Sequence, residues 1–149
     1  MKIAIACDHG GYLLKQDILI WLEEHDIDYE DFGCYSTESV DYPVFAEKAA
    51  RAVADGACDK GIVICTTGIG ISMAANKVKG AYAAVVNNVY QAQRAQLSNN
   101  ANIITIGAQV TGIEVAKMMV QEYLSCTFDP NSRSAPKIER IYEYEKANS

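Results

Sequence analysis

The run VICTTGIGISMAANK, Val63 to Lys77, is where residue types and spacing converge on chemistry. An apolar strand ends at Cys65, and a loop holding Gly68 and Gly70 leads into a helix. Glycine at such a corner lets backbone approach a ligand, and the first amides of a helix offer unpaired N–H groups to negative charge. A GxG turn alone also serves plain geometry in many α/β proteins. Free cysteine is more often packing than chemistry, and Cys7, Cys34, Cys58 and Cys126 take that reading. Cys65 departs from it by position, because a thiolate beside a helix start is a nucleophile or a base. His9 falls on the same sheet edge, so a Cys–His nucleophilic pair stays open beside a base with a phosphate ligand. His25 closes the first helix and reads as a surface or helix-end charge.

These residues need elements to hold them. Lys2 to Cys7 is an apolar run closed by Asp8-His9-Gly10-Gly11, and Leu14, Ile18, Trp21 and Leu22 then recur at helical spacing. Further strands are predicted over Tyr29–Phe32, Gly61–Cys65, Tyr82–Val86 and Ile103–Ile106. Helices are predicted over about Val44–Ala54, through Ser72–Lys77, over Val89 to about Leu97, and along Ile113, Ala116, Val120 and Leu124. Strands alternating with helices imply crossovers and a parallel sheet covered on both faces. The expectation is one α/β domain over 1–149, a three-layer α/β/α Rossmann-like fold with a five-stranded parallel sheet. Residues from about 127 to 149 predict a polar turn and a short helix from about Pro136, with Ile138, Ile141 and Tyr142 on one face. That C-terminal helical arm is expected to contact a partner subunit. Ligands of such sheets bind at the strands' carboxyl ends, which here collect residues 7–11, 65–70, Asn87, Asn88 and 107–109.

Composition narrows the classes. The chain has 149 residues, 50% hydrophobic and 21% charged, enough for one real core. A net charge of -6 argues against nucleic acid, which needs a basic face, and leaves room for a small anion in a locally positive pocket. No apolar run approaches the ~18 residues of a membrane span, and MKIAIACDH is too short a run for a signal peptide. The five cysteines are odd in number and lack CxxC spacing, so neither a disulfide framework nor a zinc site is indicated. No Asp, Glu and His cluster at metal-ligand spacing, and Asp55, Asp59 and the acidic residues near Tyr29 read as solvated loop charges. A cytoplasmic, reduced protein without metal or cofactor is the expectation.

The runs CDHGG at 7–11, DYP at 41–43, CTTGIGISMAANK at 65–77 and NNANIITIGAQVTG at 99–112 resemble the ribose-5-phosphate isomerase B family. That family includes galactose-6-phosphate and allose-6-phosphate isomerases, and the similarity spans essentially the whole chain. The resemblance implies a metal-independent aldose–ketose isomerase of the pentose phosphate pathway, working through a cis-enediol(ate) without a cofactor. Cys65 matches the position of the base that moves a proton between C2 and C1. The loop amides of Thr66, Gly68, Ile69 and Gly70 would hold the enediolate's charge. Thr67 matches a position linked to ring opening, and Asp8 and Tyr42 match hydroxyl-binding positions. Asn99 matches an asparagine of the same pocket, while His9 and Arg133 match phosphate-holding positions, the arginine coming from a partner. A homodimer or homotetramer with active sites at the subunit interface is implied.

The chain also departs from the family pattern. Ser98 stands where members using ribose 5-phosphate often carry a histidine proposed to open the furanose ring. Gln109 stands where an arginine often helps bind phosphate, and Ser134 and Lys137 where histidine and arginine are common. Lysine supplies charge but not the bidentate fork. Thr66 replaces a frequent glycine. The expectations are a less cationic phosphate pocket and tolerance of six-carbon or unphosphorylated aldoses. Three alternatives stand beside this reading: a galactose-6-phosphate or allose-6-phosphate isomerase (subunit), a non-catalytic sugar-phosphate sensor, and a nucleotide- or flavin-binding module. The last lacks G-x-G-x-x-G after the first strand.

Overall fold

In the computed structural model, which describes every residue from Met1 to Ser149, five strands alternate with five helices and a sixth helix follows. In chain order they are β1 (Lys2–Cys7), α1 (Tyr12–Glu24), β2 (Asp28–Asp31), α2 (Tyr42–Ala54), β3 (Lys60–Cys65), α3 (Ile69–Ala75), β4 (Ala83–Val85), α4 (Val89–Leu97), β5 (Ile103–Gly107), α5 (Ile113–Ser125) and α6 (Ala135–Ala147). The strands form one parallel sheet in the order β2-β1-β3-β5-β4. Strands β1, β3 and β5 read as nearly continuous apolar runs because helices cover both of their faces.

Alternation along each strand sorts the core into two layers. Ile3, Ile5, Ile62, Ile64, Ile104 and Ile106 pack with Leu14, Ile18 and Leu22 of α1 and Met119, Val120 and Tyr123 of α5. Ala4, Ala6, Val63 and Cys65 face the other way, against Ala46, Ala49, Ala50 and Val53 of α2 and Ile71 and Ala75 of α3. Taking each buried isoleucine out of water stabilises the fold by roughly 1.5–3 kcal/mol. The chain leaves β1 toward β2 on one side and returns to β3 on the other. The β1–β3 junction is therefore a topological switch point, where a crevice opens beyond the strand ends.

Several boundaries differ from the sequence reading. Helix α2 begins at Tyr42, two residues early, because Pro43 suits the first turn of a helix. Helix α3 ends at Ala75, so Lys77 lies beyond it. Helix α6 is 13 residues long and packs on its own chain. Ile138 is buried there, the Tyr82 and Tyr142 rings lie 5.0 Å apart, and the Tyr82 hydroxyl donates to Glu145 at 2.8 Å. Ile141 and Tyr144 on the same helix stay exposed. Cys126 is half-exposed at the end of α5 rather than buried. Asp31 is not a solvated charge, because its carboxylate accepts from the fully buried Lys15 ammonium at 2.7 Å. No helix is long and apolar enough to cross a membrane.

Candidate active site

The turn after β1 is built around Asp8. Its Oδ1 accepts the Gly10 and Gly11 N–H groups at 2.9 and 3.1 Å, capping the tight turn His9–Gly11 and fixing the carboxylate at the strand end. The side chain is nearly buried, and the capping bonds occupy one of its two oxygens. His9 Nδ1 accepts the Val40 N–H at 3.1 Å. A neutral ring used this way carries its proton on Nε2, which becomes the donor.

The turn after β3 is held more tightly still. The Gly68 N–H donates to the Cys65 sulfur at 3.1 Å, and the Ile69 N–H donates to Thr67 Oγ1 at 3.1 Å. Two of the loop amides expected to face a substrate oxygen are thus engaged inside the loop. The end of β5 fastens the turn: Ala108 N–H donates to the Cys65 carbonyl, Gln109 N–H to the Thr66 carbonyl, and buried Thr105 Oγ1 to the Gly68 carbonyl. Helix α3 has only seven residues, so the loop amides, rather than a long helix dipole, supply positive character here.

Two close approaches join these turns. A Cβ on Gly10 would strike the Thr66 hydroxyl, which locks the β1 turn against the β3 turn. A Cβ on Gly70 would lie 2.6 Å from Tyr42 Cζ, so the Tyr42 ring rests on the start of α3. The structure thus gathers Asp8, His9, Tyr42, Cys65, Thr66, Thr67, Gly68, Ile69 and Gly70 at the switch point.

The remaining expected residues form a second group. Ser98, Asn99, Arg133 and Lys137 line a cavity of about 560 Å³ with Tyr90, Arg94, Ser134, Ile138 and Ile141, and no residue of the switch-point group lines it. Arg94 was not singled out from the sequence. Its Nε donates to Ser98 Oγ at 2.7 Å, and the usable signal was their i, i+4 spacing at the C-terminal end of α4. With Arg94, Arg133 and Lys137 and no carboxylate on the lining, this pocket is more cationic than the departures at Ser134 and Lys137 suggested. Gln109 lines a separate 280 Å³ cavity with Gly10 and Thr111. No three His, Cys, Asp or Glu side chains come together in a metal-ligating group.

Two cysteines end strands at this edge, and they differ. Burial pushes the Cys7 thiol up to about 12, with Lys15 opposing, and its sulfur lies 3.8 Å from that of Cys34. Cys7 remains a thiol at neutral pH. Cys65 instead has an amide donor on its sulfur and a carboxylate turn beside it. A base at this sulfur, with the remaining loop amides beside it, suits removal of a proton next to a carbonyl, where a base and charge stabilisation must act at one place.

Residues 3–141 match the Ribose/Galactose Isomerase family. The chain belongs to this family. A Listeria innocua protein named ribose-5-P isomerase B is 43% identical over 99% of both chains. Another, from Mycolicibacterium smegmatis and named D-erythrulose-4-phosphate isomerase 2, is 41% identical over 99% of both. The solved structure of Clostridium thermocellum ribose-5-phosphate isomerase B superposes with a TM-score of 0.97 at 47% identity, covering both chains completely. As a ribose/galactose isomerase, the chain is an aldose–ketose isomerase, and the parallel sheet is that of its solved relatives.

Proposed function

We propose that this isomerase interconverts ribose 5-phosphate and ribulose 5-phosphate in the cytoplasm by proton transfer, with Cys65 as the base. The carrying observation is the Cys65 sulfur, pinned by the Gly68 amide beside the Asp8 and Tyr42 turns. The thiolate takes the proton from C2, and the C–H electron pair becomes the C1=C2 bond of an enediolate as the carbonyl pair moves onto O1. The thiol then returns the proton to C1 as the O2 hydroxyl becomes the ketone, and the O2 proton passes to O1, which ends as the C1 hydroxyl. The amides of Thr66 and Gly70 hold the oxygen charge, and Gly68 and Ile69 position the loop. The free oxygen of Asp8 and the Tyr42 hydroxyl take sugar hydroxyls, and Thr67 serves the ring oxygen. No step calls for a metal, so a chelator leaves the rate unchanged.

The phosphate needs His9 Nε2–H together with Arg133 and Lys137. Those cations line a cavity apart from the Cys65 group, which supports a site completed by Arg133, Lys137, Ser98 and Asn99 of a second copy. A homodimer with a twofold axis makes two such sites, and a homotetramer pairs two dimers. Turnover of ribose 5-phosphate in D2O tests the chemistry. Deuterium should enter C1 of the ketose, and Cys65→Ala should lower kcat roughly 10³-fold. Deuterium-free product would point to hydride shift and end the proposal.

A second reading has its own support. Ser98 Oγ is held by Arg94, and the cavity lining has no His, Asp, Glu or Cys to move a proton in opening a sugar ring. A tetrose 4-phosphate has no free C4 hydroxyl, cannot close a furanose ring, and needs no ring opening. The Mycolicibacterium smegmatis relative is named for a substrate of that kind. If kcat/KM for erythrose 4-phosphate exceeds that for ribose 5-phosphate, the tetrose reading replaces the pentose one.

A further inference from the structure

We infer that Arg94 is a third phosphate-binding cation of the substrate site, held in its binding pose by Ser98. The inference rests on the sugar-phosphate reading above. The 560 Å³ cavity carries three cationic side chains and no carboxylate, in a chain whose net charge is -6. None of Arg94, Arg133 and Lys137 takes part in any of the four ion pairs of the structure. Cations concentrated this way, without counter-charges, repel one another unless an anion joins them.

The geometry of Arg94 suits that anion. Its Nε bond to Ser98 Oγ spans one helical turn and orders a side chain that otherwise has many rotamers. The two terminal Nη groups, with four N–H donors, make no hydrogen bond to protein. A guanidinium so placed presents a fork matched to a phosphate, whereas Lys137 offers only a point charge. The Ser98–Arg94 pair therefore restores grip where lysine replaces a fork. This arrangement also favours phosphorylated sugars over free aldoses.

Inorganic phosphate is the probe, titrated by calorimetry at constant ionic strength against wild type, Arg94→Leu, Arg94→Gln and Ser98→Ala. Wild type should bind phosphate in the millimolar range or tighter, and both Arg94 variants should bind about tenfold more weakly, the worth of one charged contact. Ser98→Ala should weaken it by a smaller factor. Steady-state kinetics should show KM for the sugar phosphate rising about tenfold in Arg94→Gln, with kcat within about twofold. If no sugar phosphate turns over but phosphate binding falls as stated, the Arg94 assignment stands and the isomerase substrate reading fails. Phosphate binding unchanged in both Arg94 variants overturns it, and so does a wild type that binds none. Arg94→Gln guards against a folding defect in the leucine variant.

Discussion

The Gly68 N–H donates to the Cys65 sulfur across 3.1 Å, and only glycine keeps it there. Gly68 has φ +78°, and a Cβ at this position would lie 2.9 Å from the Gly107 nitrogen. Gly68→Ala therefore strains the turn by roughly 1–2 kcal/mol and displaces the amide. The expected outcome is a kcat about 10²-fold lower with a melting temperature down by about 2–8 °C. Cys65→Ala should melt near wild type while losing more activity. Wild-type turnover in Gly68→Ala would show the contact to be idle.

Asp8 does two jobs that one substitution separates. Asparagine accepts the same Gly10 and Gly11 amides but carries no charge. Asp8→Asn should keep the melting temperature and lower kcat/KM about 100-fold. Asp8→Ala should lose the activity and also about 1 kcal/mol of capping. Calorimetry beside kinetics reads both, and full activity in Asp8→Asn removes the carboxylate from the mechanism.

Lys15 is a structural brace. Its ammonium is fully buried, 2.7 Å from Asp31 Oδ1 and 2.6 Å from the Cys34 carbonyl. Lys15→Met leaves the Cys34 carbonyl without its donor and the Asp31 carboxylate with only the Gly33 N–H, a loss of about 3 kcal/mol. The melting temperature should drop by roughly 6–12 °C. Adding Asp31→Leu should recover part of it, and a double variant no better than Lys15→Met would show the pair to be uncoupled.

Alkaline stability should depend on Cys7. Its thiol titrates near 9.0 in the unfolded chain and about 12 in the fold. The folded state holds the proton longer, so this stabilisation is complete below pH 9.0 and is lost as pH rises toward 12. Against Cys7→Ala, wild type should show the steeper fall in melting temperature between those limits and a parallel course below them. Equal slopes throughout would mean that Cys7 does not titrate in this window. Tyr82 and Tyr123, also raised by burial, act equally in both proteins.

Much of this was legible in the chain, for identifiable reasons. Strands β1, β3 and β5 are buried on both faces, so their sequences are nearly continuous apolar runs. Strand β4 pairs on one side only and spans just Ala83–Val85, shorter than Tyr82–Val86, because an edge has less to bury. The strand order lies in no local pattern; it follows from which crossovers pack together. Cys65 could be placed on the ligand-bearing sheet edge because it ends β3, and Asp8 because it directly follows β1. Arg94 escaped because its companions, Arg133 and Lys137, come from a helix start far along the chain. Asp31 looked solvated because its partner Lys15 lies 16 residues away, where spacing rules for a single helix are silent.

The separation of the Arg133 cavity from the Cys65 turn also has a genetic consequence. Under the composite-site proposal, a Cys65→Ala chain and an Arg133→Ala chain are each dead as pure dimers. A mixed dimer places both lesions in one site and leaves the other intact. Random subunit exchange makes half the dimers mixed, so about a quarter of the sites revive. Two inactive proteins stirred together would then become an enzyme, by interallelic complementation.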